Sequence, residues 1–206
     1  MFLSRIEMDL SRISTKRALA SPQIIHAAVQ TCFPEEAGRI LWRLDNFEGK
    51  MFLLTISPTK PDFAGFAQQF GGTGEVKEYT PLLEQIKNGQ RLSFRFRANP
   101  TYTKSAGKGN RGKIYAHVTI SQKRTWLMEK SAKWGFSLAE NDFDVVETDN
   151  LRFYKDGNKK AVELGVATFE GHLSITDVQL FKKALIEGIG RAKAYGCGMI
   201  TVAKPR

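Results

Sequence analysis

The run of strand and helix patterns predicts an α+β fold of two tandem ferredoxin-like (RRM-like, βαββαβ) units. Three observations carry it. Period-two and period-3.6 apolar patterns alternate along the chain. They pass through a βαββα order once in the first half and again in the second. Near the end, Gly188-Ile189-Gly190-Arg191-Ala192-Lys193-Ala194-Tyr195-Gly196-Cys197-Gly198 joins a helix to a last short strand, Met199 to Ala203. The division is placed at 98/99, with a first unit at 1–98 and a second at 99–206.

Each element has its own signal. Phe2, Ile6, Met8 and Leu10 alternate with Arg5, Glu7 and Asp9, a half-buried strand. Ser21-Pro22 reads as N-cap and first helical position. The helix that follows has an apolar stripe of Ile24, Ile25, Ala28, Val29 and Cys32. Arg39 to Asp45 and Met51 to Ser57 are strands around a turn at Glu48-Gly49. A helix over Asp62 to Phe70 stops at Gly71-Gly72, and Pro81 to Lys87 reads as another. Two stretches compete for the closing strand, Glu75 to Tyr79 and Arg91 to Ala98, and the second has the clearer alternation. Leu92, Phe94, Phe96 and Ala98 share one face; Arg91, Ser93, Arg95 and Arg97 share the other.

In the second half, Ile114, Ala116, Val118 and Ile120 alternate as a strand, and Gln122 to Trp134 is helical until Gly135. Phe136 to Leu138 and Phe143 to Thr148 are extended. Leu151 to Lys155 and Ala161 to Phe169 form a hairpin about Asp156-Gly157. Glu170-Gly171-His172 is a turn before a strand at Leu173 to Ile175. Asp177 caps a helix that buries Val178, Phe181 and Leu185.

Composition narrows the function. The chain of 206 residues is 42% hydrophobic and carries a net charge of +10. Residues 1–90 hold 10 Lys+Arg against 10 Asp+Glu, whereas residues 91–206 hold 21 against 11. The whole excess therefore lies in the second half, the footprint of an anionic partner. Cys32 and Cys197 stand far apart in apolar contexts and read as core residues. Arg5, Glu7 and Asp9 interrupt any leader-like apolar run, and no stretch approaches the roughly 18 apolar residues of a membrane span. A cytoplasmic protein with no membrane partner is expected.

The cations fall into groups. Arg95 and Arg97 line one strand face. Residues 101–113 hold Lys104, Lys108, Arg111 and Lys113, with three glycines and no acid, and read as a flexible basic loop. The hairpin holds Arg152, Lys155, Lys159 and Lys160, and the glycine segment holds Arg191 and Lys193. All are candidate phosphate contacts. For the glycine segment two readings stand: a cluster of backbone N–H groups around a phosphate, or a turn that packs the last strand. A dinucleotide fingerprint fails, because its third glycine position is Lys193 and the order is helix, loop, strand. No Gly-Lys-Ser/Thr is present. No small-molecule cofactor is read.

Three histidines are scattered through the chain, and no metal-ligand spacing is visible, so no metal is read. His117 sits mid-strand and His172 in a turn. His26 lies about 130° from the centre of its helix's apolar stripe, at 100° per residue. It faces away from the core, beside Gln23, Ala27 and Gln30.

Trp42-Arg43-Leu44, Phe94-Arg95-Phe96-Arg97-Ala98-Asn99-Pro100, Phe169-Glu170-Gly171, the glycine segment and a histidine on the first helix occur in this order. Together they resemble the CasE family, the CRISPR-repeat endoribonucleases of type I-E Cascade, over the whole chain. The resemblance implies metal-independent cleavage of precursor CRISPR RNA at the 3′ base of each repeat hairpin. It implies 2′-hydroxyl attack leaving a 2′,3′-cyclic phosphate, with His26 catalytic. It further implies retention of the mature crRNA and residence among the other Cascade subunits. Arg152 and Lys155 match best the basic hairpin that relatives place against the RNA stem. Some relatives have tyrosine where this chain has Gln23, so the second proton-transfer group stays open; Gln23 or a lysine of the second unit is available to hold the phosphate. A non-catalytic RNA-binding subunit with paired RRM-like folds is the alternative. It lacks the aromatic motif of ordinary RRM sheets. The failed glycine spacing argues against a nucleotide-binding enzyme.

Overall fold

The computed structural model describes residues 1–105, 107, 110, 112–154 and 161–205. The first half runs β1 (Phe2–Met8), α1 (Ile13–Leu19), α2 (Pro22–Gln30), β2 (Leu41–Phe47), β3 (Lys50–Ser57), α3 (Ala64–Phe70), β4 (Gly74–Glu78) and α4 (Thr80–Gln85). Its antiparallel sheet has the order β2-β3-β1-β4. The second half runs β5 (Arg91–Ala98), β6 (Thr101–Lys104), β7 (Lys113–Ala116), α5 (Ile120–Ser131), β8 (Phe136–Ser137), β9 (Phe143–Tyr154), β10 (Ala161–Ile175), α6 (Val178–Glu187) and β11 (Ile200–Ala203). Its sheet has the order β11-β5-β10-β8, with β9 also on β10, while β6 and β7 form a separate two-stranded ribbon. Both sheets place the first and third strands of a βαββαβ unit at the centre, the ferredoxin-like arrangement. No helix among the described residues is long and apolar enough to cross a membrane.

Several expectations need correction. Arg91–Ala98 does not finish the first sheet; β4 does, pairing with β1 from Phe2↔Glu78 to Ile6↔Gly74. β5 instead leads the second sheet, with Phe96 opposite both Phe169 and Ile200. Its alternating burial suits either sheet, and only long-range register decides. Sheet membership thus changes between Glu78 and Arg91, ahead of the expected division at 98/99. Second, β10 is one continuous strand through Glu170-Gly171-His172. Gly171 sits between Phe94 and Phe143 at φ 145°, where a Cβ would lie 2.1 Å from the Asp142 carbonyl. The glycine makes room for a neighbouring backbone, not for a turn. Third, the strand expected to reach Ile120 ends at Ala116, because Thr119 and Gln122 form a capping box that starts α5. Fourth, Ile24 is 38% exposed, so the core stripe of α2 is Ile25, Ala28 and Val29. Ser21 stands at the N-cap, but its side chain caps nothing. Helix α1 was not foreseen, and Thr101–Lys104, expected to begin a flexible basic loop, is strand β6 paired with β7.

Two hydrophobic clusters form the interior. One packs Ile6, Met8, Ile25, Val29, Leu53 and Phe66 beneath the first sheet. The other joins Phe94, Phe96, Phe169, Phe181 and Leu185 with Leu41, Ile56 and Tyr79 of the first half. The halves therefore share a core. Cys32 and Cys197 are both buried as free thiols.

Candidate active site

His26 projects half-buried from the middle of α2. With Gln30 one turn on, it lines a cavity of about 430 Å³ whose other walls include Arg39, Ile40, Lys193 and Ala194. No acidic side chain among the described residues lines that cavity. Burial lowers the proton affinity of His26 below the ordinary histidine value, so the ring is neutral at pH 7. Its Nδ1 is buried without a hydrogen-bond partner among the described residues. Lys193 is likewise lowered, first by burial and then by the charge of Arg39, with Glu187 opposing. Two cations and one neutral imidazole thus converge from both halves of the chain.

The glycine segment delivers Lys193. Ala192 takes a left-handed conformation at φ 59°, and Lys193–Tyr195 makes one 3-10 turn. Gly188 and Gly196 leave room for β2: a Cβ on Gly188 would lie 2.6 Å from Leu41 Cδ2, and one on Gly196 2.8 Å from the Trp42 ring. The Ile189 N–H donates to the Gly198 carbonyl at 2.8 Å, and the Gly198 N–H to the Arg97 carbonyl at 2.7 Å. Tyr195 packs on Phe153 of β9, with ring centroids 4.7 Å apart. Of the two readings of this segment, the packing turn is the one built here. Five of its N–H groups, those of Gly188, Ile189, Tyr195, Cys197 and Gly198, already donate to backbone carbonyls, and Gly188, Gly196 and Gly198 face protein atoms.

The other expected RNA contacts divide. Arg95 is paired with Asp45 at 3.1 Å and with Glu170, and Arg97 lies 3.5 Å from Glu147. The open cationic face expected of β5 is therefore largely neutralised in place. Arg152 lies 3.5 Å from Glu163 on the exposed β9–β10 edge. Lys104 and Lys113 face each other across the β6–β7 ribbon, and Arg191 is exposed. Lys108, Arg111, Lys155, Lys159 and Lys160 lie outside the described residues. Gln23 lines a separate cavity of about 450 Å³ with Gln69 and Tyr154, one turn of α2 before His26.

Arg39 was missed by sequence reading. It stands alone in the loop before β2, on no periodic face, and only the fold brings it to Lys193. Tyr154 was missed as a neighbour of Gln23, because nothing local links the end of β9 to α2. Among the described residues no three His, Cys, Asp or Glu side chains gather as a metal site.

Comparison with known proteins agrees with this architecture. The sequence matches the family described as CRISPR associated protein over residues 1–204. It is 30% identical to the CRISPR-associated endoribonuclease Cse3 of Thermus thermophilus over 217 aligned residues, 98% of this chain and 100% of that protein. It is 29% identical to the CRISPR system Cascade subunit CasE of Escherichia coli over 126 residues, 58% of this chain and 61% of that one. The structure of Thermus thermophilus Cse3 bound to an RNA representing a pre-cleavage complex superposes with a TM-score of 0.84 at 27% identity, covering 98% of each chain. The chain belongs to the CRISPR-associated protein family, as a protein of the CasE type.

Proposed function

We propose that this chain is a cytoplasmic endoribonuclease that cuts precursor CRISPR RNA within each repeat, at the 3′ base of the hairpin. It then stays on the mature guide RNA as a Cascade subunit. The observation that carries the proposal is the cavity in which His26 meets Arg39 and Lys193, with no acidic side chain among the described residues that line it.

Such a cavity suits transesterification. The ribose O2′ forms a bond to the adjacent phosphorus, its proton passes to neutral His26, and the bond from phosphorus to O5′ breaks. An imidazole near neutrality serves as the base. The Arg39 guanidinium stabilises the negative charge that grows on the phosphorane oxygens. Lys193 gives up its proton more readily than an exposed lysine and supplies it to O5′. Lys193 therefore fills the role that Gln23, which has no titratable proton, cannot. Lys104, Lys113, Arg152 and Arg191 extend the cationic surface toward the rest of the RNA, with Lys108, Arg111, Lys155, Lys159 and Lys160 in the same two basic segments. Arg95 and Arg97 contribute only where RNA phosphate displaces their carboxylates.

The nucleophile is tested with one atom. A 2′-deoxy substitution just upstream of the scissile phosphate should stop cleavage and leave binding within a few-fold. Products of the natural repeat should carry a 2′,3′-cyclic phosphate upstream and a 5′-hydroxyl downstream by mass spectrometry. Normal cutting of the deoxy substrate, or a 5′-phosphate on the downstream fragment, refutes the mechanism. Tight binding with no cutting of the natural repeat supports the RNA-binding subunit instead.

A further inference from the structure

The β6–β7 ribbon stands apart from both large sheets. Its register pairs Thr101 with Ala116, Tyr102 with Tyr115, Thr103 with Ile114 and Lys104 with Lys113. Side chains alternate across a strand. Tyr102, Lys104, Lys113, Tyr115 and, one step past the strand, His117 therefore share one face. The three rings form a ladder: Tyr102 lies 5.8 Å from Tyr115 at 26°, and 5.1 Å from His117. Tyr102 is 46% and Tyr115 41% exposed. The opposite face carries Thr101, Thr103, Ile114 and Ala116, and Ala116 seats the ribbon on β10 where Gly165 leaves space.

An isolated two-stranded ribbon gains little stability by itself. Leaving two tyrosine faces in water on such a ribbon serves folding poorly. Rings beside cations, with no carboxylate on the same face, are instead the elements that hold single-stranded nucleic acid: bases stack on the rings and phosphates meet the lysines. Paired bases within a stem present no free face to stack. Burial first, and then the charge of Lys130, lower the proton affinity of His117, with Glu129 opposing.

We propose that the Tyr102–Tyr115–His117 face, flanked by Lys104 and Lys113, binds unpaired nucleotides that flank the repeat hairpin by stacking on their bases. The inference rests on the RNA-processing reading above and adds to it a site for single-stranded RNA, distinct from the His26 cavity. A protein partner for the same face is the competing occupant, and the charge of the face favours RNA.

The test uses the full chain and a repeat RNA blocked by a 2′-deoxy group at the cleavage position. One probe keeps its single-stranded flanks; the other is trimmed to the hairpin. Tyr102→Ala with Tyr115→Ala should weaken binding of the flanked probe on the order of ten-fold per ring. The trimmed hairpin should bind within two-fold of wild type, and the Tyr102→Phe/Tyr115→Phe pair should behave as wild type on both. 5-Iodouridine in the flank should crosslink wild-type protein at Tyr102, Tyr115 or His117, a readout that needs no variant to fold. Equal losses on both probes, no loss on either, or a wild-type complex with no crosslink on these rings each overturn the inference. So does a pair of alanine variants that binds RNA normally but no longer joins its protein partners. Wild-type protein that binds neither probe overturns the RNA-processing reading as well. Wild type that binds and cuts the natural repeat, with alanine variants unchanged, overturns this inference alone.

Discussion

The Arg43 guanidinium on β2 donates to the Thr201 hydroxyl on β11 at 2.9 Å, across 158 residues of sequence. It also donates to the backbone carbonyls of Arg95 at 2.8 Å and Met199 at 3.2 Å. Its remaining donors form a forked pair with Asp45, at 2.8 and 2.7 Å. Arg43 is 1% exposed, so every one of these bonds replaces water. Asp45 in turn accepts from Arg95 at 3.1 Å. Burial alone would raise the Asp45 carboxyl, but Arg43 and Arg95 together hold it below its ordinary value. One charged cluster thus pins the first sheet to β5 and the edge strand β11 of the second. The His26 cavity depends on that alignment, since α2 belongs to one half and Lys193 to the other.

Truncating Arg43 should therefore cost stability and geometry together. Arg43→Ala leaves Asp45 facing Arg95 alone, removes the guanidinium donor from the carbonyls of Arg95 and Met199, and leaves the Arg95 carbonyl with the longer bond from the Thr201 hydroxyl at 3.4 Å. Breaking a buried pair by removing one partner typically costs about 3–5 kcal/mol. A urea melt of the variant should show the midpoint falling by that equivalent. The lowered Asp45 carboxyl also contributes stability that is present above the ordinary aspartate range and is lost as pH falls through its folded-state value. The acid-unfolding transition should accordingly shallow in Arg43→Ala. A midpoint within experimental error of wild type would mean that the cluster does not join the halves.

The proton affinities around His26 set a pH profile. Below its lowered folded-state value the imidazole is protonated and accepts no proton, so the single-turnover rate falls as pH falls. Its midpoint should lie below the ordinary histidine value, because burial opposes the charge. As pH rises past the lowered value of Lys193, the ammonium is lost and the rate falls again. The result is a bell whose limbs belong to the two groups. His26→Ala should lose about 10²–10⁴ in rate, keep RNA affinity within a few-fold and abolish the acid limb. A variant that cuts at the wild-type rate, or that keeps the acid limb, removes His26 from the chemistry.

Local pattern sufficed for much of the fold, and its failures have a common cause. The alternation in Leu92, Phe94, Phe96 and Ala98 identified a strand with the right face inward, because burial is written into each residue pair. It did not say which sheet that strand joins, because the partners Phe169 and Ile200 lie 73 and 104 residues away. His26 was legible because a polar side chain off the apolar stripe of a helix is a local fact. Arg39 was not: it was read as the first residue of a strand, whereas it lies in the loop before β2 and only the fold brings it to Lys193. The stretches that carried the family resemblance prove to be fasteners. Arg43 joins the halves, Asn99 donates from a buried amide to the Gly165 carbonyl at 2.7 Å, Glu170 pairs with Arg95, and Gly171 admits the Asp142 backbone. The carboxylate partners of Arg95 and Arg97 were hidden for the same reason: they lie on β2, β9 and β10, distant in sequence.

Gly198 offers the sharpest test of how Lys193 is held. It sits at φ 91°, where side chains are rarely tolerated. A Cβ there would lie 2.7 Å from the Ile189 carbonyl and 3.0 Å from Lys193 Cγ. Gly198→Ala should therefore push the loop away from its bond to Arg97 and shift the Lys193 stem, without touching any exposed cation. A displacement of about 1 Å at a reacting group can cost on the order of 10²-fold in rate. Cleavage should fall by that order while repeat-RNA affinity stays within a few-fold, since most phosphate contacts lie elsewhere. Lys193→Arg separates position from chemistry. It keeps a charge in the cavity but offers a guanidinium that does not give up its proton. Its rate should fall nearly as far as that of Lys193→Ala, and the basic limb of the pH profile should vanish in both. Full activity in Lys193→Arg would show that Lys193 supplies charge alone and that the proton for the leaving oxygen comes from another source.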